Sequence, residues 1–329
     1  MIAFFRDKSF VAFFLLAILC VLTHVHIFHQ PVIISKPIDN GLLSLFINRY
    51  INSLIPGVQS FLFLLIIFSQ ALWLNTLLNS WKMFQKSALT TAASFILLSA
   101  CFPELNSITP ALFNNYLAIL FIAMFARMYN HPKAGTLLFN IGTIASIATI
   151  LYKPDVVFIL ITFLSLAIVR PFRLKEWLIL LIGVTVPVYL MAAFLFMKDN
   201  LPFIKTMIPF FQPHAITIKL TAWYWIKVSV VLLSLLIGLN QWLPNYGRMV
   251  IHIRRNWIIL FLSMLILGFL PFVLYKGNIV DFWIVIPFMA CFISSLFLFP
   301  KRLLIPNFIF ILFIIVITHT NLLMMGLIK

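Results

Sequence analysis

Long apolar stretches alternate with short polar ones from one end of the chain to the other. A helix needs about 20 apolar residues to cross the hydrocarbon core of a bilayer. By that measure the pattern predicts spans at 9–28, 57–79, 87–103, 110–128, 135–152, 154–170, 174–197, 221–242, 256–275, 281–299 and 303–326. The expected fold is an all-α polytopic transmembrane bundle of about eleven spans, forming one transmembrane domain over 1–329. The third, fifth and sixth stretches are the weakest. Most connections are short, so neighbouring spans should run antiparallel.

Two connections are long enough to hold structure of their own. In the first, 29–56, Pro37-Ile38-Asp39-Asn40-Gly41 is turn chemistry, and Asp39 or Asn40 can cap a following helix. Leu43, Phe46, Ile47, Tyr50, Ile51 and Leu54 then recur at helical spacing. Ser44, Asn48, Arg49 and Asn52 fall on the other side. This predicts a short amphipathic helix lying in the outer membrane interface. The second, about 198–220, carries Pro202, Pro209 and Pro213 among Phe203, Ile208, Phe210 and Phe211. Prolines at that density break a helix, which predicts an interfacial or re-entrant piece.

Composition agrees with the pattern. The chain is 64% apolar and 9% charged, with mean hydropathy +1.13, whereas soluble domains carry about 25% charged residues. The net charge of +16 does not point to nucleic acid, because the basic residues are scattered over many short connections. They report topology instead. With the N-terminus in the cytoplasm, the inner connections hold Arg6, Lys8, Lys82, Lys86, Arg127, Lys133, Arg170, Arg173, Lys175, Arg248, Arg254, Arg255, Lys301 and Arg302. That is fourteen of the 23 lysines and arginines. Every inner connection then has at least two, as the positive-inside rule asks, and the odd span count puts the C-terminus outside. Arg6 and Lys8 before the first apolar run resemble a signal peptide, but no small-x-small cleavage site follows, so an uncleaved first span is expected. Cys20, Cys101 and Cys291 each lie in apolar runs and predict buried or lipid-facing thiols, not disulfides.

The acids run the other way. Asp39, Glu104, Asp155, Asp199 and Asp281 fall on the outer side. Ordinary loop hydration explains this, and so does a working face on that side. Within the spans, Gln59 and Gln70 share a helix face, followed by Asn75, with Asn114, Asn115, Asn140, Asn240, Gln241, His319 and Asn321 elsewhere. Such groups most simply glue helices together by hydrogen bonds. Lys227 follows Trp223-Tyr224-Trp225 and either snorkels to the interface or meets a phosphate or carboxylate within the bundle. His24, His26 and His29 cluster at the outer end of the first span, but their spacing does not make a ligand set, and interfacial histidines on a frayed end are expected. No metal is predicted. Lys153-Pro154-Asp155 forms a tight outer turn. The basic residues of Arg170-Pro171-Phe172-Arg173-Leu174-Lys175-Glu176-Trp177 suit anionic lipid head groups.

Tyr152-Lys153-Pro154-Asp155, the following span, this basic stretch, and then Gly183 and Pro187 resemble a multi-pass membrane family of Bacteroidota that has no established activity. Gln70-Ala71-Leu72-Trp73-Leu74-Asn75 and Phe139-Asn140-Ile141-Gly142 fit the same pattern. The resemblance covers about residues 1–200 and implies the inner membrane of a two-membrane envelope. More distantly, the layout is similar to glycosyltransferases of the GT-C class, which use polyprenyl-phosphate-linked sugars. The shared features are a first span, an outer loop with an acidic residue and an interfacial helix, and a small-residue span ending in Lys-Pro, here Gly142 to Lys153-Pro154. This resemblance implies Asp39 as general base and Lys153, with Lys227 or Arg49, at the leaving phosphate, with Asp155, Gln59 and Gln70 in support. It implies no cofactor, only a lipid-linked sugar as donor. The chain departs from that class in having Asn40 beside Asp39 and no soluble C-terminal domain.

Three functions follow. A lipid-linked-sugar glycosyltransferase predicts an outer cavity bringing Asp39 and Lys153 together. A transporter or flippase predicts a polar path lined by Gln59, Gln70, Asn140 and Lys227. A non-catalytic subunit of an envelope machine predicts a cavity-free bundle with a flank for a membrane protein partner. Membrane lipids, polyprenyl phosphate among them, are the expected partners, and nucleic acid is not.

Overall fold

The computed structural model describes residues 2–30, 32–34, 41–129, 134–200, 202–203, 221–273 and 279–327. Among these are twelve α-helices: α1 (Phe10–Thr23), α2 (Leu42–Phe46), α3 (Pro56–Ser80), α4 (Thr90–Ala100), α5 (Pro110–Ala126), α6 (Ala134–Leu151), α7 (Val157–Val169), α8 (Leu174–Met197), α9 (Ala222–Tyr246), α10 (Ile251–Val273), α11 (Ile286–Leu298) and α12 (Leu304–Met324). Seven segments are long and apolar enough to cross a membrane: α3, α6, α8, α9, α10, Val280–Leu298 and α12. The chain is thus an all-α bundle of a multi-pass membrane kind. α1, α4, α5 and α7 are shorter, so the expected eleven full spans exceed what length alone supports. The second long connection lies almost wholly outside the described residues.

Local chemistry sets the helix starts. Ser9 caps α1, its hydroxyl accepting from the Ala12 amide at 3.1 Å. Thr109 caps α5 in the same way through the Leu112 amide at 3.2 Å, and Pro110 occupies the first turn, where no amide is missed. Pro56 opens α3 likewise.

Contacts between distant connections sort the bundle into two ends. At one, the Leu89 amide donates to the Phe5 carbonyl, the Arg6 guanidinium to the Phe297 carbonyl at 2.7 Å, and the Arg255 guanidinium to the Val169 carbonyl. The basic connections meet here, as the charge pattern predicts. Lys86 and Asp7 also pair here at 2.5 Å, but both are exposed. Their pairing is worth at most about 1 kcal/mol, and Asp7→Asn is expected to leave detergent-unfolding curves unchanged.

At the opposite end, Ile33–Ile34 pairs in parallel with Ser107–Ile108, the Thr320 hydroxyl donates to the Cys101 carbonyl at 2.8 Å, and the Asn321 amide to the Thr23 carbonyl at 3.1 Å.

The core runs through α4 and α11. Every residue of α4 is buried, and so is all of α11 up to Phe297 except Met289. Thr90 and Thr91 join them through the Ser294 hydroxyl, at 2.8 and 3.0 Å. α8 sits at the edge and buries only Glu176, Leu180 and Gly183. Gly142 and Gly183 let α6 and α8 touch backbone to backbone.

The helix expected in the first long connection is present, and its predicted apolar face divides. Ser44, Ile47 and Ile51 are buried, while Phe46, Tyr50 and Leu54 are exposed. The turn over Ile47–Ile51 is a π-helix, which adds a residue per turn and shifts the face that follows. Ser44 is held inward by donating to the Gly41 carbonyl at 2.7 Å.

Candidate functional site

The Tyr152-Lys153-Pro154-Asp155 turn is built by its own residues. α6 stops at Leu151, Tyr152 is extended, and Pro154 begins a short 3₁₀ turn, Lys153–Val156. The Asp155 amide donates back to the Tyr152 carbonyl at 3.0 Å. This tight reversal tucks Asp155 into the bundle instead of leaving it in a hydrated loop. Its side chain is fully buried and accepts from the Asn114 amide of α5. Asn114 also donates to the Ala148 carbonyl of α6 at 3.0 Å, so one amide ties the turn to two helices.

A second acid arrives from far along the sequence. Asp281 lies in the 3₁₀ turn Ile279–Val285, is buried, and accepts from the Tyr152 hydroxyl. Tyr152, Asp155, Asn114 and Asp281 therefore form one buried polar cluster beneath the Lys153 turn. Burial raises the Asp155 carboxyl well above the usual carboxylate range, and the nearby Asp281 charge adds to this. Burial and the two acids likewise raise the Tyr152 hydroxyl, keeping it a neutral donor. Two buried carboxylates this close do not both ionise readily, so the geometry favours one proton held on Asp155. Among the described residues, the second Asp155 oxygen and the Asn114 carbonyl oxygen are buried without partners. Reading these acids as hydrated loop residues is thus corrected for Asp155 and Asp281. Nothing in local sequence marks a contact made across 129 positions.

Tyr152→Phe is expected to destabilise the fold by about 1–3 kcal/mol, because Asp281 loses a buried donor. Chemical unfolding in mixed micelles checks this.

The other sequence candidates separate. Asp39 lies outside the described residues. Two residues after it, Gly41 has φ +110°, and a Cβ there would stand 2.5 Å from the Leu151 carbonyl oxygen. Glycine is required on both counts, since only glycine takes this backbone and this close approach. Lys153 is half-buried on its turn. Arg49 is exposed on the interfacial helix, over the Tyr50 ring at 5.8 Å. Gln59 donates to the Ile51 and Leu54 carbonyls at 3.0 and 2.9 Å, fastening the interfacial helix to α3. Gln70 donates to the Leu112 carbonyl at 2.6 Å, joining α3 to α5. Both amides join neighbouring helices. Lys227 is buried in a different group, within electrostatic reach of Glu104, Cys101 and His319.

The histidines also depart from expectation. His24 and His26 are buried, not frayed at an interface: His24 Nδ1 meets the Cys20 carbonyl at 3.0 Å and His26 Nδ1 the Asn321 side-chain oxygen at 2.7 Å. A short 3₁₀ turn, Val25–Phe28, folds them inward. Among the described residues no group of three metal-ligating side chains assembles. The three cysteines are free and buried, as predicted.

A groove of about 780 Å³ lies between α1 and α3 in the half of the bundle near the acid-bearing end. Cys20, Ile27, Phe61, Leu64 and Phe68 make its apolar wall, while His29, Gln30 and Ser60 contribute polar groups. The carboxylate cluster does not line it. No family model matches the chain, and comparison with curated proteins and with solved structures finds no match either.

Proposed function

We propose that the chain is a multi-pass inner-membrane protein of envelope biogenesis that transfers a sugar from a lipid-linked donor at the outer face. The observation that carries the reading is the Gly41–Leu151 contact. It fastens the loop bearing Asp39 to the end of α6, two residues before Lys153, and these are the two parts that a GT-C-like site requires together. The groove between α1 and α3 offers the lipid chain an apolar wall beside the interfacial helix.

In this reading, eleven helices cross with the N-terminus in the cytoplasm and the C-terminus outside. The acceptor hydroxyl oxygen attacks the anomeric carbon, the bond from that carbon to the phosphate oxygen breaks, and the bonding pair leaves with the lipid phosphate. Asp39 takes the hydroxyl proton. Lys153 stabilises the charge on the departing phosphate, with Arg49 at head-group level. Of the four residues on the transport alternative's path, Gln59, Gln70, Asn140 and Lys227, the Gln59 and Gln70 amides donate to backbone carbonyls.

The test is the lipid and glycan profile of a deletion strain complemented with wild type, Asp39→Asn or Lys153→Ala. Wild type is expected to restore a missing envelope glycan, and each variant to lower turnover at least about 100-fold. An unchanged profile on deletion, or full restoration by both variants, overturns the reading.

A further inference from the structure

Away from the Lys153 turn, α9 carries a lysine into the bundle. Lys227 sits in the second turn of α9 and is 3% exposed. Four elements surround it. Glu104 comes from the short 3₁₀ turn Pro103–Leu105, Cys101 follows α4, and His319 comes from α12. From α9 itself, Trp223 stacks on the His319 ring at 3.9 Å, and Tyr224 packs against Phe102 at 5.5 Å.

What distinguishes the group is its unmet bonding. Glu104 feels the Lys227 charge, yet among the described residues the two form no ion pair within 4.0 Å, and Lys227 makes no hydrogen bond. One Glu104 carboxylate oxygen and His319 Nδ1 are also buried without partners among the described residues. Burying a charge without a bonded counter-charge is costly, and buried polar atoms are nearly always satisfied. Glu104 and His319 bring two such atoms to Lys227, from three separate elements. An ammonium and an imidazole nitrogen offer donors to an anion, and a carboxylate oxygen offers an acceptor beside them.

We infer that Lys227, His319 and Glu104 form a second polar site that binds a phosphate group with a neighbouring hydrogen-bond donor, either an ammonium or a hydroxyl. Lys227 and the protonated ring nitrogen of His319 donate to the phosphate oxygens, and Glu104 accepts from the neighbouring donor. A bare phosphate satisfies only the first two, and Glu104 disfavours it. The stacked Trp223 ring fixes the plane of His319. Among the described residues, the electrostatic neighbours of Lys227 are Glu104, Cys101 and His319, whereas those of Tyr152 are Asp281 and Asp155, so the two groups are separate.

The test uses the full chain, delipidated in detergent, with thermal unfolding as readout. The probes are phosphatidylethanolamine, phosphatidic acid, diacylglycerol and inorganic phosphate. Phosphatidylethanolamine is expected to raise the midpoint most, and diacylglycerol not at all. Lys227→Met is expected to weaken the phosphatidylethanolamine response at least about tenfold in concentration. Glu104→Gln is expected to narrow the preference for phosphatidylethanolamine over phosphatidic acid. A response to inorganic phosphate that Lys227→Met abolishes identifies a free phosphate compound as the ligand, and a response to lipid alone identifies a head group. An unchanged response in Lys227→Met, or equal shifts from diacylglycerol and the phospholipids, overturns the proposal. Should Lys227→Met fail to fold, His319→Gln probes the same contact from the second donor, and an unchanged response there overturns it equally.

Discussion

Gly183→Ala is expected to destabilise the bundle by about 1–3 kcal/mol, and Gly183→Leu to prevent α8 from docking. The new Cβ would stand 2.4 Å from the Phe139 carbonyl oxygen and 3.0 Å from the Phe139 Cα. These are backbone atoms of α6, so no side-chain rotation relieves the clash and the helices must separate. Gly142 makes the reciprocal contact, its Cβ position lying 2.6 Å from the Leu180 carbonyl oxygen and 2.9 Å from the Val184 amide. The loss is large because α8 buries so little else, only Glu176 and Leu180 beside Gly183. In a bilayer, helices associate through close packing of this kind, since lipid is as apolar as their side chains. Gly57 and Gly268 are the controls, since a Cβ at either meets open space. Alanine there is expected to be neutral or stabilising, by at most about 1 kcal/mol, from helix propensity. Unfolding in mixed micelles of increasing denaturing detergent separates the two pairs. Equal responses would mean that the α6–α8 contact does not hold the edge of the bundle.

The same contact shows what the sequence made legible and what it did not. The helices at 90–100, 134–151 and 157–169 lie within the apolar stretches that carried the least signal, because hydrophobic length is a local property. The bias of Arg and Lys toward one set of connections was legible for a similar reason, since each connection carries its own charge. The α6–α8 crossing was not, because the small residues of α6 do not say which helix they meet, and Gly142 and Gly183 lie 41 positions apart. Nor was the partnership of Tyr152 with Asp281. Each looked like part of an ordinary outer turn, and only the folded chain makes them neighbours. The interfacial helix lies between these cases. Its period was readable, but not which of its apolar residues the protein would bury: Ile47 and Ile51 go in, while Phe46 and Tyr50 stay exposed with their rings 4.9 Å apart. The histidines at 24 and 26 were misjudged because His26 meets Asn321, at the far end of the chain, and His24 packs on Phe63 of α3.

Asp155→Asn is expected to make the protein more stable than wild type at neutral and alkaline pH and to remove a pH dependence that wild type shows. Burial and the Asp281 charge raise the folded-state carboxyl above its unfolded value. Between the two values the folded state therefore binds more protons than the unfolded state, and stability falls as pH rises. The window opens near the ordinary carboxyl value of about 3.9 and closes at the raised folded one. Within it the slope approaches about 1.4 kcal/mol per pH unit for this single group. Asparagine preserves the shape and keeps an oxygen to accept from Asn114, while carrying no charge at any pH. Its curve should therefore run nearly flat where that of wild type declines. Asp155→Ala is expected to be destabilising at every pH by about 1–3 kcal/mol relative to Asp155→Asn, because the Asn114 amide then loses a buried acceptor. Denaturant midpoints measured from pH 4 to pH 9 distinguish these outcomes. A wild-type slope that survives in Asp155→Asn would move the proton elsewhere, and Asp281, tied to Tyr152 and buried in the same cluster, is the next group to replace.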